Sequence, residues 1–318
     1  DSATVITQAG DTPVVVIAED TNNDGILSAS ELDGDVDVTV VVPDDAVAGD
    51  TLRVSDGETD IEIELDADDI STGSITTSFA PPGEGETITV TAVLVDQLDN
   101  ESGVGSDSAT VDTQTGDDGA APLVTIDEDA NNDGTISDTE LDGAIDVTIG
   151  LSGGAVAGDT IRVDDGGTPI NILLDSTDIA NGFVSTSFGS PGEGNSITVT
   201  AVLMDQYGNV SAEGVDSATV DTLAGNTGAA PVVTLTEDSN NDGVISGDEL
   251  AGDVDVTIDL PNGAVAGDTI QISDGSTDID IVLDGTDITA GSVTASFSAP
   301  AEGETITVTA VLMDQLGN

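Results

Sequence analysis

Oxygen-bearing side chains recur at fixed positions in one twelve-residue segment, DTNNDGILSASE, which begins at Asp20. In an EF-hand loop, side-chain oxygens at positions 1, 3 and 5, a backbone carbonyl at 7, an oxygen at 9 and a bidentate Glu at 12 surround a calcium ion. Gly25 stands at position 6, where the turn is too sharp for a residue with a Cβ. The spacing therefore predicts a calcium loop with these ligands: Asp20, Asn22, Asp24, Ile26, Ser28 and Glu31.

The same pattern occurs twice more, as DANNDGTISDTE and DSNNDGVISGDE. The alternative interpretation is that these are ordinary Asp-Asn-Gly turns followed by a helix capping box. A turn does not need Glu at position 12, and every ligand position is filled in all three copies. We therefore expect Ca²⁺ as the cofactor, several ions per chain, with these further ligands: Asp129, Asn131, Asp133, Thr135, Ser137 and Glu140, then Asp238, Asn240, Asp242, Val244, Ser246 and Glu249.

The composition excludes several classes of function. The chain has 64 acidic residues against two basic ones, no His and no Cys, which gives a formal net charge of −62. Nothing could neutralise phosphates, so we expect no nucleic-acid partner, and no apolar run approaches the roughly 20 residues of a membrane span. Catalytic groups would be limited to carboxylates, hydroxyls and one Tyr, and each acidic cluster recurs in every copy. The sequence predicts that the chain is not an enzyme.

Internal repetition sets the domain organisation. Pro13, Pro122 and Pro231 lie 109 residues apart, which indicates a repeating unit of the size of an immunoglobulin-like sandwich. We predict a final strand and linker of a preceding unit at residues 1–12, then repeats at 13–121, 122–230 and 231–318, the last without its final strand. The chain starts without Met, and we expect it to be a piece of a longer one.

Within a repeat the apolar residues alternate with polar ones, which is typical of half-buried strands. In DVDVTVVV, for example, Val36, Val38 and Val40 would face the core and Asp37 the solvent. Seven such strands separated by Gly, Asp and Pro turns predict an all-β fold of tandem seven-stranded antiparallel Ig-like β-sandwiches. No segment has a helical period. With an odd strand count the chain enters and leaves at opposite ends, so the repeats would be arranged head to tail as a rod.

The loop between the first two strands would then lie at the exit end, beside the linker to the next repeat. Turns of the following repeat would face the same junction. A second set of calcium sites between repeats is one interpretation, and solvated acidic turns are the other; the sequence leaves both open. The candidate ligands are Asp112, Asp117, Asp118, Asp205 and Asn209 at the first junction, and Asp221, Asp314 and Asn318 at the second.

The segments APLVTIDEDANNDGTISDTELDGAIDVTI, AVAGDTIRV, GEGNSITVTAVLMDQYGN and DSATVDT resemble the tandem bacterial immunoglobulin-like (BIg) extender repeats of giant calcium-dependent RTX-type adhesins. The resemblance covers essentially the whole chain. It implies a type I-secreted protein of the bacterial cell surface or extracellular space, whose repeats act as a calcium-rigidified spacer in cell adhesion. The expected partners are calcium ions and the neighbouring repeats of the same chain.

The leading hypothesis is thus a structural extender that projects a binding module from the cell. The alternative is a self-associating extracellular filament or biofilm-matrix protein, in which like chains join by donor-strand complementation. In that case Ala3 and Val5 of one chain would pack against Ile306 and Val308 of the next, because an unpaired sheet edge invites an added strand. The simpler interpretation is one longer chain in which a short turn connects successive copies.

Overall fold

The computed structural model describes Ser2, Thr4 and residues 7–318. The regular elements of the first repeat are β1 (Val14–Ile17), β2 (Ile26–Leu27), β3 (Val36–Val41), β4 (Thr51–Ser55), β5 (Asp60–Glu64), α1 (Ala67–Thr72), β6 (Ser74–Phe79), β7 (Thr87–Val95) and β8 (Gly105–Val111). Those of the second are β9 (Leu123–Ile126), β10 (Thr135–Ile136), β11 (Ile145–Gly150), β12 (Thr160–Asp164), β13 (Ile170–Leu173), α2 (Ser176–Asn181), β14 (Phe183–Phe188), β15 (Ser196–Met204) and β16 (Gly214–Val220). Those of the third are β17 (Val232–Leu235), β18 (Val254–Asp259), β19 (Thr269–Ser273), β20 (Asp278–Val282), α3 (Gly285–Ala290), β21 (Ser292–Phe297) and β22 (Thr309–Met313).

The first repeat is a sandwich of two sheets. One has the order β1-β3-β6 and the other β2-β8-β7-β4-β5. The pairs are antiparallel except β2 with β8, which run parallel. This confirms the predicted antiparallel Ig-like β-sandwich, with β1 and β3 to β8 as the seven predicted strands, while the head-to-tail rod stays a prediction. The two-residue β2 is an addition, and it lies inside the predicted calcium loop.

Side-chain alternation builds the core between these sheets. In β3, Val36, Val38 and Val40 are fully buried while Asp37 is exposed. The facing strand β7 contributes Val90 and other inward residues of the same parity. The core is aliphatic apart from one Phe at the end of β6, so burial of small apolar side chains is the main source of its stability.

The third repeat has two three-stranded sheets, β17-β18-β21 and β20-β19-β22. Their register repeats that of the first repeat, since Val254 pairs with Phe297 just as Val36 pairs with Phe79. The core includes the fully buried Ile258. The recurrence shows that one sequence pattern specifies one packing in separate copies.

A six-residue helix follows the fourth long strand in each repeat, where the sequence predicted none. In α1, the Asp66 carboxylate accepts hydrogen bonds from the N–H groups of Asp68 and Asp69, and the Asp69 carboxylate accepts one from the Asp66 N–H. Gly73 ends the helix with a φ of 75°. Such reciprocal capping stabilises a single helical turn that is too short for an apolar period.

The chain forms two compact units: Asp1–Leu123 with Ile149–Val184 and Thr200–Gly214, and Val124–Thr148 with Ser185–Val199 and Val215–Asn318. In the first unit β12 pairs with β13 and with residues 200–204 of β15, and in the second β10 pairs in parallel with β16. The predicted repeat limits stay a prediction. Ala3 and Val5, on which the strand-exchange hypothesis depends, lie outside the described residues. In the part of the chain that the structure describes, no helix is long and apolar enough to cross a membrane.

Candidate metal centres

The first loop, residues 20–31, folds by turning its oxygen atoms back onto its own backbone. The Asp20 carboxylate accepts from the N–H groups of Asp24 (3.0 Å) and Gly25 (2.8 Å). Asn22 Oδ1 accepts from the Asp24 N–H at 2.9 Å, and Asp24 Oδ1 accepts from the Ile26 N–H at 2.9 Å. Predicted ligand positions 1, 3 and 5 are therefore held on the inner side of one tight turn.

Two residues of this turn have a left-handed backbone. Asn23 has φ 58° and Gly25 has φ 82°, a region that favours Gly and tolerates Asn. A Cβ on Gly25 would meet nothing within 4 Å, so it is the backbone conformation, and not lack of space, that calls for Gly at position 6. The left-handed conformation that the sequence predicted for position 6 is confirmed.

Glu31 closes the loop. One of its carboxylate oxygens accepts from the Ser28 N–H (3.2 Å) and Ser28 Oγ (2.8 Å), and the other accepts from Thr21 Oγ1 at 3.0 Å. Burial acts to raise the pKa of Glu31, but the hydrogen bonds from Ser28 and Thr21 outweigh it and hold the pKa below its ordinary value. The turn from Ser28 to Leu32 is thus tied to the start of the loop through one charged side chain.

The second loop (residues 129–140) and the third loop (238–249) repeat this geometry. Asp129 accepts from the N–H groups of Asp133 and Gly134, and Asp238 from the two equivalent ones. Glu140 has its pKa lowered by the Ser137 N–H and then by the Ser137 hydroxyl. Glu249 has the same partners in Ser246. The conformation is therefore reproduced three times from local sequence.

In the part of the chain that the structure describes, no three carboxylates converge as a ready-made metal-ligating group. The predicted loop ligands also include an amide oxygen, a backbone carbonyl and a hydroxyl, which are oxygen donors of the kind that calcium accepts. Calcium binding by the loops stays a prediction.

The position of the loop in the fold agrees with the sequence argument. Ile26 and Leu27 form β2, which pairs in parallel with Thr110 and Val111 at the end of β8. The Asp112 N–H, the first of the linker, donates to the Leu27 carbonyl at 3.0 Å. In the second repeat the Asp221 N–H donates to the Ile136 carbonyl at the same distance, 3.0 Å. Each of these loops lies directly beside the start of a linker.

At the first junction three carboxylates line a cleft of about 200 Å³: Asp112, Asp159 and Asp205. Asp159 is only 3% exposed, and one of its oxygens accepts from the Val156 N–H at 2.9 Å. Burial raises the pKa of Asp112, and the charges of Asp205, Glu84 and Asp159 raise it further. The pKa of Asp159 is also raised, first by burial. Asp112 and Asp159 thus lie where their carboxyl groups resist ionisation.

The second junction repeats this arrangement with Asp221, Asp268 and Asp314, which line a cleft of about 440 Å³. Burial raises the pKa of Asp221, followed by the charges of Asp314 and Glu193. Asp268 is 2% exposed. Its Oδ2 accepts from the Val265 N–H at 2.8 Å, whereas its Oδ1 is buried and has no hydrogen-bond partner among the described residues. A buried carboxylate oxygen without a donor is costly unless a cation neutralises it.

The structure brings some of the predicted interdomain residues together and separates others. Asp112 and Asp205 lie at one cleft, and Asp221 and Asp314 at the other, as predicted. Asp117 and Asp118 are exposed in the linker turn, where the Asp117 N–H donates to the Gly153 carbonyl and Asp118 Oδ1 accepts from the Ala120 N–H. They do not line the cleft. Asn209 and Asn318 contact the cleft carboxylates through their amide groups.

The predicted ligands did not include Asp159 or Asp268, nor Glu84 and Glu193 as their neighbours, although the sequence placed the turns of the following repeat, including the one near Asp159, at the first junction. A signal was present for the two aspartates. Each follows the apolar run of an AVAGD motif, and the same position is Asp50 in the first repeat. All three are almost completely buried, at 2–3% exposure. A carboxylate repeated in an apolar motif, where burial is expensive, indicates a specific partner.

No protein-family model matches the sequence, and no curated protein matches it. The chain is similar to solved structures of bacterial adhesin repeats, as the sequence resemblance predicted. One is from a 1.5-MDa bacterial ice-binding adhesin, at 20% identity and a TM-score of 0.38 over 95% of both chains. Another is a tetra-tandem repeat from the extending region of a large adhesion protein, at 16% identity and a TM-score of 0.28 over 96% of this chain and 71% of that one.

A third similar structure holds the fibronectin(III)-like modules of CbhA from Clostridium thermocellum, at 14% identity and a TM-score of 0.32 over 66% of this chain and 95% of that one. All three TM-scores lie below 0.5, so these similarities carry no argument of their own. The fold assignment rests on the strand pairing of the chain itself.

Proposed function

We propose that the chain is a structural extender region of a secreted bacterial surface adhesin, and that calcium at the loops and junctions stiffens it. The observation that carries the proposal is the recurrence of one acidic constellation at two successive junctions. At each, the carboxylates come from the start of the linker and from two turns of the following repeat. The Oδ1 of Asp268, which has no hydrogen-bond donor among the described residues, offers a ligand atom at the second junction.

Calcium suits this donor set. It takes six to eight oxygen ligands and accepts flexible geometry. The loop ions would be held by the three predicted ligand sets, and the junction ions by Asp112, Asp159 and Asp205, and by Asp221, Asp268 and Asp314. Burial, and after it the charge of neighbouring acids, raises the pKa values of Asp112 and Asp221, and a dication would cancel the repulsion between these charges.

The mechanism is mechanical. At the first junction Asp112 belongs to the chain leaving one repeat, while Asp159 and Asp205 belong to the next. A cation bound to all three would fix the linker against the following repeat and remove bending freedom. The number of repeats would then set how far a terminal binding module stands from the cell. An extracellular or cell-surface location, with export by a type I system, supplies the calcium that this mechanism needs.

The decisive experiment compares the chain in calcium and in excess EDTA, by small-angle scattering for maximum dimension and by calorimetry for Tm. A folded-state site contributes about 2.7 kcal/mol at a hundredfold excess of ligand over Kd, so several sites should raise Tm by many degrees and narrow the range of dimensions. Unchanged Tm and unchanged scattering in EDTA contradict the proposal. Growth of mass in calcium would instead support the self-associating filament.

A matched set of variants separates the junctions from the loops. Asp159→Asn and Asp268→Asn remove one junction carboxylate each, whereas Asp50→Asn changes the same AVAGD position in the first repeat. In the segment that precedes the first repeat, Ile6 occupies the position of Asp112 and Asp221 in the later copies. The first repeat therefore lacks the linker carboxylate of the junction set. We expect calcium-dependent stiffening to fall in the first two variants and to persist in the third. Equal loss in all three would place the effect in the folding of the motif and not in a junction ion.

A further inference from the structure

One asparagine side chain joins two successive repeats at each junction. Asn209 is 2% exposed. Its Oδ1 accepts from the Ala29 N–H at 2.8 Å, and its Nδ2 donates to the Asp112 carbonyl at 2.8 Å and to Asp205 Oδ2 at 2.7 Å. A single amide group thus contacts the first loop, the start of the linker after the first repeat, and a turn of the second repeat.

The second junction repeats these three bonds, while at the first junction Asn209 Nδ2 also donates to Asp112 Oδ1 at 3.3 Å. Asn318 Oδ1 accepts from the Asp138 N–H at 2.8 Å, and Asn318 Nδ2 donates to the Asp221 carbonyl at 2.8 Å and to Asp314 Oδ2 at 2.8 Å. Asp138, like Ala29, is the tenth residue of its loop. Because the same geometry occurs in two copies that are 109 residues apart, the contact is specific and not a chance one.

The chemistry of the site requires an amide. The Nδ2 group faces only acceptors, namely a backbone carbonyl and a carboxylate, while the Oδ1 atom faces an N–H donor. Asn carries both functions on one short side chain. An Asp of the same shape has no donor for the carbonyl and adds a charge beside Asp112 and Asp205. An Ala has neither function.

The contacted N–H belongs to the segment that closes the loop. Ala29 lies between Ser28 and Glu31, which are the predicted ligands at positions 9 and 12. The turn from Ser28 to Leu32 carries the Glu31 carboxylate back to the loop. Fixing the Ala29 N–H therefore fixes the part of the loop that must be in place when Glu31 takes a ligand position.

We infer that Asn209 and Asn318 are positioning residues that couple the closing turn of a loop in one repeat to the docking of the next repeat. When the following repeat is docked, its asparagine holds the preceding loop closed. Conversely, an ordered loop presents the N–H that the asparagine needs. The effect on calcium affinity rests on the proposed function, whereas the structural coupling does not.

The test measures the rates of amide hydrogen exchange at Ala29 and Asp138 in the whole chain, with NMR as the readout. Asn209→Ala should accelerate exchange at Ala29 about tenfold or more, because net losses of about 1 kcal/mol per hydrogen bond add over the bonds removed. Exchange at Asp138 should stay unchanged in this variant. Asn318→Ala should give the reverse pattern, so each variant serves as the control of the other.

Asn100→Ala is the matched control for the turn itself. Asn100 holds the same position in the first repeat, and its Nδ2 donates to Asp96 Oδ2 at 2.8 Å, but the 318 residues hold no calcium-loop sequence ahead of that repeat. It should leave both Ala29 and Asp138 unchanged. Unchanged exchange at Ala29 in Asn209→Ala, or equal acceleration in Asn100→Ala, overturns the inference.

Two further measurements complete the test. If Asn209→Ala does not fold, Asn209→Leu, which keeps the approximate size and loses both the donors and the accepting oxygen, is measured in EDTA, and unchanged exchange at Ala29 overturns the coupling. Calcium titration then addresses the proposed function. If the unaltered chain binds no calcium, the proposed function fails while the exchange pattern still decides the coupling. If it binds calcium, the first loop should bind it more weakly in Asn209→Ala than in Asn100→Ala.

Discussion

The first and third loops have the same conformation in different surroundings. Asp20 accepts from the N–H groups at positions 5 and 6 at 3.0 and 2.8 Å, and Asp238 does so at 3.0 and 2.9 Å. In the first loop Leu27 is fully buried and Ser28 is 4% exposed. In the third, the equivalent Ile245 is half-buried and Ser246 is exposed.

The difference follows from β8. In the first repeat this strand pairs with β2 and covers the second half of the loop, whereas residues 244–245 of the described third repeat form no strand. The ligand turn is therefore encoded locally, and its attachment to the protein is supplied by the last strand of the repeat. Shape and anchorage are separable properties of the same twelve residues.

The largest expected effect concerns anchorage. Leu27→Ala removes a fully buried side chain and should cost about 2–5 kcal/mol of the free energy of unfolding of its repeat. Ile136→Ala, at the equivalent buried position, should cost a similar amount. Ile245→Ala should cost clearly less, because that side chain is only half-buried. Urea unfolding of the three variants checks the order, and equal losses would show that β8 adds nothing to the loop.

The next effect concerns the ligand at position 12. Glu31→Gln removes the charge and one accepting oxygen. It should lower the calcium affinity of the first loop by about ten- to a hundredfold, since loss of a residue that only hydrogen-bonds a metal ligand already costs that much. If ligand geometry is local, Glu249→Gln should have the same ratio at the third loop. Isothermal titration measures both. A ratio near one in either variant would remove that Glu from the ligand set.

A smaller effect tests local encoding directly. Gly25→Ala and Gly243→Ala place a Cβ at φ 82° and 81°, where neither would meet an atom within 4 Å. Each should cost about 1–2 kcal/mol from backbone strain alone. The two costs should be equal, since the different surroundings play no part. Thermal unfolding in EDTA gives the comparison, and a much larger cost at residue 25 would mean that the neighbouring strand constrains the turn.

The smallest expected effect concerns the pH dependence of the free energy of unfolding, which should have opposite signs for two carboxylates. The pKa of Asp112 is raised by burial and then by neighbouring acids, so without calcium its charge destabilises the folded state. That penalty is fully present above the raised pKa and disappears as the pH falls toward the ordinary value of about 3.9. Asp112→Asn should therefore stabilise the chain in EDTA at neutral pH by less than about 1 kcal/mol, and the gain should vanish in acid.

Glu31 gives the opposite sign and serves as the control for this experiment. Its pKa is lowered, so its contribution is present above the unfolded-state pKa and is lost as the pH falls through the folded-state value. Glu31→Gln should thus destabilise the chain in EDTA at neutral pH and make no difference in acid. Calcium should reverse the effect of Asp112→Asn, since the ion needs the charge that the substitution removes.

Much of this fold could be predicted because two sequence patterns, the alternation of apolar and polar residues and the spacing of the loop ligands, occur in all three repeats. The alternation in residues 35–42 assigned the buried face of β3 correctly, and the Asp-Asn-Asp-Gly spacing located the tight turn and its left-handed Gly. The position of the loop beside the linker followed from strand order alone. These features depend on neighbours in sequence, which one chain reveals without an alignment.

The remaining features depend on groups that are distant in sequence. The sequence placed Asp112 and Asp205 at one junction, but the burial of Asp159 beside them and the contact of the Asn209 amide group with Ala29 appear only when two repeats have docked. The helices α1, α2 and α3 were missed for a different reason, because six residues cannot show a helical period. Their signal was a capping pair, such as Asp66 with Asp69, followed by Gly73.

The parallel pairing of β2 with β8 determines how the first repeat would respond to tension. The N-terminal end of the repeat leads first into β1, which pairs with β3, so a pull reaches β2 through β1 and the first loop. Where it draws β2 along the parallel β8, the hydrogen bonds between Ile26–Leu27 and the end of β8 share the load in shear, instead of opening one after another. Because β2 is part of the first loop, an ion in that loop would reinforce these bonds.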